Sequence, residues 1–191
     1  MKNQFSVETF KKTGEELFIS NNKILDFKLS DFWSWNTSDL LNNAMRGKLA
    51  EYIIARALGI DNGYRIEWDE YDLVYNDLKI EIKSGAYIQS WEQDRLSNIS
   101  LTVKPTQNSE SGDFKRHSDI YIFAILSHKD ATTINPLQLE QWDFYIVNTE
   151  IMNSVLGKQK TIGLNSLLKL NPIVCNFENL KIEVEKMKNN L

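Results

Sequence analysis

The chain has 191 residues, 42% hydrophobic and 25% charged, with a formal net charge of −4. It is the size of one domain, and no apolar run approaches the roughly 18 residues of a membrane span. The opening "MKNQFSVETFKK" has no continuous apolar core of a secretory signal, so a cytoplasmic location is expected. A single cysteine, Cys175, and two histidines exclude an internal disulfide and a His/Cys metal cluster. The mild acidity gives no global footprint for nucleic acid, yet a local basic face fits within such a total.

Residues 30–38 are irregular and aromatic, with Phe32, Trp33 and Trp35 expected to dock on the core. Thr37 or Ser38 is expected to cap a helix running to about Leu58, with Gly59 just past its end. Leu41, Met45, Leu49, Tyr52, Ile53 and Ala57 form one apolar stripe, and Glu51 sits among Gly47, Ile54 and Leu58 on another side. A glutamate so placed needs a partner: Arg46, a sheet lysine or a ligand.

The period then changes to two. Residues 64–68, 71–75 and 78–83 read as strands, with Asn76–Asp77 as the turn between the last two. Residues 84–97 fit either a continued strand or a helix. Residues 98–103 look extended, 106–118 form a polar loop, and 119–126 and 142–147 read as buried strands. Helices are expected near Glu150, at 166–170 and at 177–187. The order indicates an α/β, or α+β, domain with a mixed sheet. It spans 1–191, with a core at about 38–148 and the N-terminal aromatic segment and C-terminal helices packed on it.

A two-residue turn at Asn76–Asp77 pairs Leu73 with Ile80 and sets Asp72 opposite Glu81. Facing carboxylates, about 5 Å apart at Cβ, repel unless a cation lies between or beside them. Lys83 projects to the same face as Glu81. Acid–x–lysine also occurs at Asp26/Lys28, Asp77/Lys79 and Asp113/Lys115, but only Glu81 has the Ile80/Ile82 frame and a same-face acid on the preceding strand. In the same register Glu70 faces Lys83, which offers the plainer reading of a cross-strand salt bridge. Arg46, Lys115 and Arg116 are candidates for nucleic-acid contact. A glycine-rich phosphate loop and a GxSxG motif are absent from the sequence.

Asp72 followed by Glu81-Ile82-Lys83 resembles the PD-(D/E)XK, or restriction-endonuclease-like, nuclease superfamily, with Tyr71 where the proline usually stands. The resemblance implies a core of helix, three-strand meander, helix and further strand. It implies Mg²⁺ (or Mn²⁺) on Asp72, Glu81 and the Ile82 carbonyl, Lys83 assisting the attacking water, and Glu51 and Gln89 completing the catalytic set. The stretches "FWSWNTSDLLNNAMRGKLAEYIIARALG", "WDEYDLVYNDLKIEIKSGAYIQSWEQ" and "KRHSDIYIFAIL" together look like a bacterial family of unknown function within it. The expected activity is metal-dependent phosphodiester hydrolysis in restriction, repair or defence against mobile elements. The expected partner is DNA, with RNA as the open alternative, no membrane, and a homodimer as the common state of double-strand cutters. The rival expectation is a non-catalytic module on the same fold that binds nucleic acid or protein.

Overall fold

Asn21 and Asn22, at φ 49° and 61°, turn β1 (Leu17–Ser20) into β2 (Lys23–Lys28), an N-terminal hairpin not foreseen in the sequence. The computed structural model describes residues 7–66, 71–107, 112 and 114–191. The aromatic segment is a helix, α1 (Leu29–Thr37), rather than irregular, and Asp31 Oδ2 accepts the Lys28 N–H at 2.7 Å across its first turn. Thr37 and Ser38 do not cap the next helix. Their hydroxyls donate backwards to the carbonyls of Trp33 and Ser34 at the end of α1. The long helix α2 (Asn43–Leu58) is capped instead by Asn42, whose side chain accepts the Ala44 N–H at 2.9 Å. Gly59 closes α2 at φ 75°.

Asn76 and Asp77 take φ of 48° and 68°, the left-handed pair that a two-residue hairpin turn requires. They join β3 (Leu73–Tyr75) to β4 (Leu78–Ala86), with Leu73 opposite Ile80 as expected. Of the third meander strand expected over 64–68, residues 64–66 are not in a strand, and 67 and 68, like Glu70, lie outside the described residues. β5 (Ser100–Thr102), β6 (Thr106–Gln107) and β7 (Phe114–Lys115) follow. Next come β8 (Ile120–Leu126), β9 (Trp142–Asn148), α3 (Thr149–Leu156), β10 (Thr161–Gly163), α4 (Leu164–Leu168), β11 (Ile173–Cys175) and α5 (Phe177–Asn189).

The central sheet has the order β11-β9-β8-β4-β3. It is mixed: β4 runs parallel to β8, and the other neighbours are antiparallel. The fold is therefore α+β, as the element order indicated. Between β4 and β8, where the resemblance implies a helix, the described residues form bends and short strands. All seven residues of β8 are buried, which suits the middle of a sheet covered on both faces. One face carries Ile80, Ile82, Ile122 and Phe144 against Ile53 and Ile54 of α2 and Leu180 of α5. The other carries Tyr121, Phe123 and Tyr145 against Leu101, Met152 and Leu167. β3 ends its pairing at Ile80, so β4 from Ile82 onward has no strand partner on that edge among the described residues.

Candidate active site

The regular pairing ends at Leu73–Ile80, so, contrary to expectation, Asp72 does not stand opposite Glu81 in the ladder; it shares Ile80 with Leu73 in an irregular step. Its N–H donates to the Ile80 carbonyl at 3.1 Å, and its Oδ2 accepts the Ile82 N–H at 2.7 Å. The carboxylate is thereby tied to the bare edge of β4, beside Glu81. The N–H and C=O of one strand residue leave on the same side, so the Ile82 carbonyl opens toward the edge that Asp72 occupies. Glu81 is ion-paired with Lys83, with side chains 20% and 27% exposed. Burial pushes the Glu81 carboxyl above its usual range; Lys83 opposes the shift, and the charges of Asp72 and Glu51 reinforce it. Tyr121, which faces Glu81 across the parallel pair, is pushed up to about 12, by burial first and then by Glu81. The structure thus brings Asp72, Glu81, Lys83 and Glu51 within one electrostatic neighbourhood.

Glu51 takes as its partner neither Arg46 nor a sheet lysine. Arg65 grips it at two points, with Nη2 3.1 Å from Oε1 and Nε bonded to Oε2. Gln89 does not lie on an extension of β4, because the strand ends at Ala86. It reaches the site by a turn: Nε2 donates to the Ala86 carbonyl at 2.8 Å, and Oε1 accepts from Arg46 Nη1 at 2.9 Å. Arg46 is 3% exposed. It also donates to the Leu41 carbonyl (2.8 Å), Asn43 Oδ1 (2.6 Å) and Ser84 Oγ (3.3 Å).

Arg116 corrects an expectation. It is buried to the same degree, and its guanidinium donates to the carbonyls of Val103 (2.7 Å), Gly157 (3.1 Å) and Gln159 (2.9 Å) and to Asn153 Oδ1 (3.1 Å). Held in this way, it braces three segments of chain rather than standing as an exposed phosphate contact. Lys115, next to it on β7, is exposed.

Two cavities flank the carboxylates. One of about 480 Å³ lies between α2 and β3 and is lined by Lys48, Glu51, Tyr52, Arg65, Tyr71 and Asp72, with Lys11, Lys12 and Trp33 at its side. The other, about 270 Å³, lies beyond Lys83 and includes Arg46 and Gln89. Among the described residues no three His, Cys, Asp or Glu side chains are placed to hold a metal ion. The oxygen set at the edge is instead two carboxylates and a backbone carbonyl, donors of the kind that suit a hard divalent cation.

Sequence reasoning missed Arg65, Ser84 and Tyr121. Ser84 was open to discovery: it adjoins Lys83 and has opposite parity, which sends it toward α2. Arg65 and Tyr121 had no local signal, because a loop closure and a parallel strand pairing bring them in.

The chain matches the family model described as Bacteriophage T4 endonuclease IV over residues 20–166. No curated protein matches it. Among the described residues no helix is long and apolar enough to cross a membrane.

Proposed function

Because this chain belongs to the bacteriophage T4 endonuclease IV family, a nuclease family, we propose that it is a divalent-metal-dependent endonuclease of the PD-(D/E)XK type acting on DNA. The observation that carries the reading is Asp72 anchored to the bare edge of β4 beside Glu81, with the Lys83 ammonium on the same face. The raised carboxyl of Glu81 supports it: burial is the main cause, the charges of Asp72 and Glu51 add to it, and a bound cation would offset both. Asp72, Glu81 and the Ile82 carbonyl would hold Mg²⁺ or Mn²⁺. Such an ion, when bound, supplies Lewis acidity and a water of lowered pKa.

The protein's own groups do the rest. Asp72 keeps its position through the Ile82 N–H whether or not its second oxygen is engaged. Lys83 leaves Glu81 for the phosphoryl oxygens as charge builds on them and orients the attacking water. Water adds to phosphorus, one P–O ester bond breaks, and the leaving oxygen takes a proton. Glu51, held by Arg65, borders the same space and adds negative charge beside the ion site. Lys11, Lys12 and Lys48 along the larger cavity suit a phosphate backbone.

The test is cleavage of single- and double-stranded DNA and of RNA by wild type, Glu81→Gln and Lys83→Ala, with Mg²⁺ or with chelator, beside calorimetric metal titration. Wild type is expected to cut DNA only with metal. Lys83→Ala is expected to keep metal binding and lose about 10²–10³ in rate, the cost of removing one charge-stabilising donor. Glu81→Gln should lose both. Metal-independent cutting, or undiminished cutting by Lys83→Ala, would overturn the assignment.

A further inference from the structure

The smaller cavity, about 270 Å³, is walled by Arg46 and Lys83 together with the polar side chains of Asn43, Ser84, Ser100 and Thr102, and no residue lining it is acidic. Arg46 is 3% exposed, and among the described residues no carboxylate pairs with it. All its partners are neutral: a backbone carbonyl, two amides and a hydroxyl. A buried cation satisfied only by neutral acceptors keeps its full charge uncompensated. Burial draws the Arg46 pKa down to about 10, which still leaves it protonated at neutral pH.

Resting on the nuclease reading of the neighbouring carboxylates, we propose that this pocket binds the phosphodiester group next to the one being cut, and so sets the register of the strand across Lys83. Lys83 stands at the junction, ion-paired to Glu81 on one side and lining the pocket on the other. The Ser84 hydroxyl accepts from Arg46 Nε and keeps its own proton to donate. Gln89 and Asn43 hold the guanidinium by single bonds, leaving one N–H of Nη2 for an incoming oxygen. A charged guanidinium N–H with hydroxyl donors beside it is chemistry that suits a phosphate oxygen.

Two readouts test this. In the first, oligonucleotides carrying one uncharged methylphosphonate beside the mapped scissile position are cut by wild type and by Arg46→Met. Neutralising the phosphate that enters the pocket should lower kcat/KM of wild type by about tenfold or more. Arg46→Met should show that loss on the ordinary strand and little further loss on the modified one. Equal methylphosphonate penalties in both proteins, at every flanking position, would overturn the proposal. In the second, which needs no cleavage and no metal, inorganic phosphate is titrated while the Arg46 Nε–H NMR signal is followed. A saturable shift, abolished by Thr102→Glu, is expected. An unmoved Arg46 signal in folded wild type would overturn the pocket even if the protein cuts DNA. A shifting Arg46 signal in a protein that cuts nothing would support the pocket and count against the nuclease reading alone.

Discussion

Arg46 and Arg116 are both 3% exposed, and neither is paired with a carboxylate among the described residues, yet their surroundings assign them different work. Arg116 is held by three main-chain carbonyls and one asparagine, drawn from segments around residues 103, 153 and 157–159. Those carbonyls cannot turn away, so the guanidinium acts as a fixed brace. Arg46 is held mainly by side chains, Gln89, Asn43 and Ser84, at the wall of an open cavity. Side chains exchange partners at small cost; a backbone carbonyl does so only by moving the chain. Burial alone therefore does not separate a structural arginine from a ligand-binding one, whereas the kind of acceptor does.

The sharpest test of that contrast is Arg116→Met. It strands the buried carbonyl of Val103, at about 1–3 kcal/mol, and loses the bonds to the exposed Gly157 and Gln159, at about 1 kcal/mol each, so it should cost about 3–5 kcal/mol of stability. Urea denaturation reads the loss. Cleavage per folded molecule should be unchanged, since Arg116 lines neither of the two cavities beside the carboxylates. Arg46→Met should cost less, about 1–2 kcal/mol, because its side-chain partners border the cavity and find water there. Equal losses for the two variants would break the comparison.

Asp72→Asn should have the smallest effect on stability, within about 0.5 kcal/mol, because the amide oxygen still accepts the Ile82 N–H and one repulsive charge is gone. The same variant should no longer cut DNA, since the ion site loses half its carboxylate charge. A large drop in melting temperature with activity retained would recast Asp72 as a purely structural cap of the β4 edge.

The candidate site was readable where local chemistry sets geometry. Asn76–Asp77 tolerate left-handed backbone, a two-residue turn follows, and Leu73 falls on Ile80. The last step is irregular, and the Asp72 carboxylate comes beside Glu81 through its bond to the Ile82 N–H. The start of α2 was misread because Thr37 and Ser38 had nearer carbonyls to serve at the end of α1, a competition that spacing alone does not rank.

By itself the sequence determined the hairpin, the alternation that points Glu81 and Lys83 to one face, the buried strands β8 and β9, and the C-terminal helices. Each depends on contacts a few residues apart, or on a periodicity that burial imposes on every strand and helix. Tertiary structure alone decided that β4 lies parallel to β8 and sets Tyr121 beside Glu81. It also gave Glu51 to Arg65, Arg116 to three main-chain carbonyls and Arg46 to a cavity shared with Lys83. These pairings join residues that the chain holds far apart. Whether a charged side chain ends at a fixed carbonyl, an opposite charge or an open pocket depends on which segments pack around it, and no short stretch of sequence carries that information.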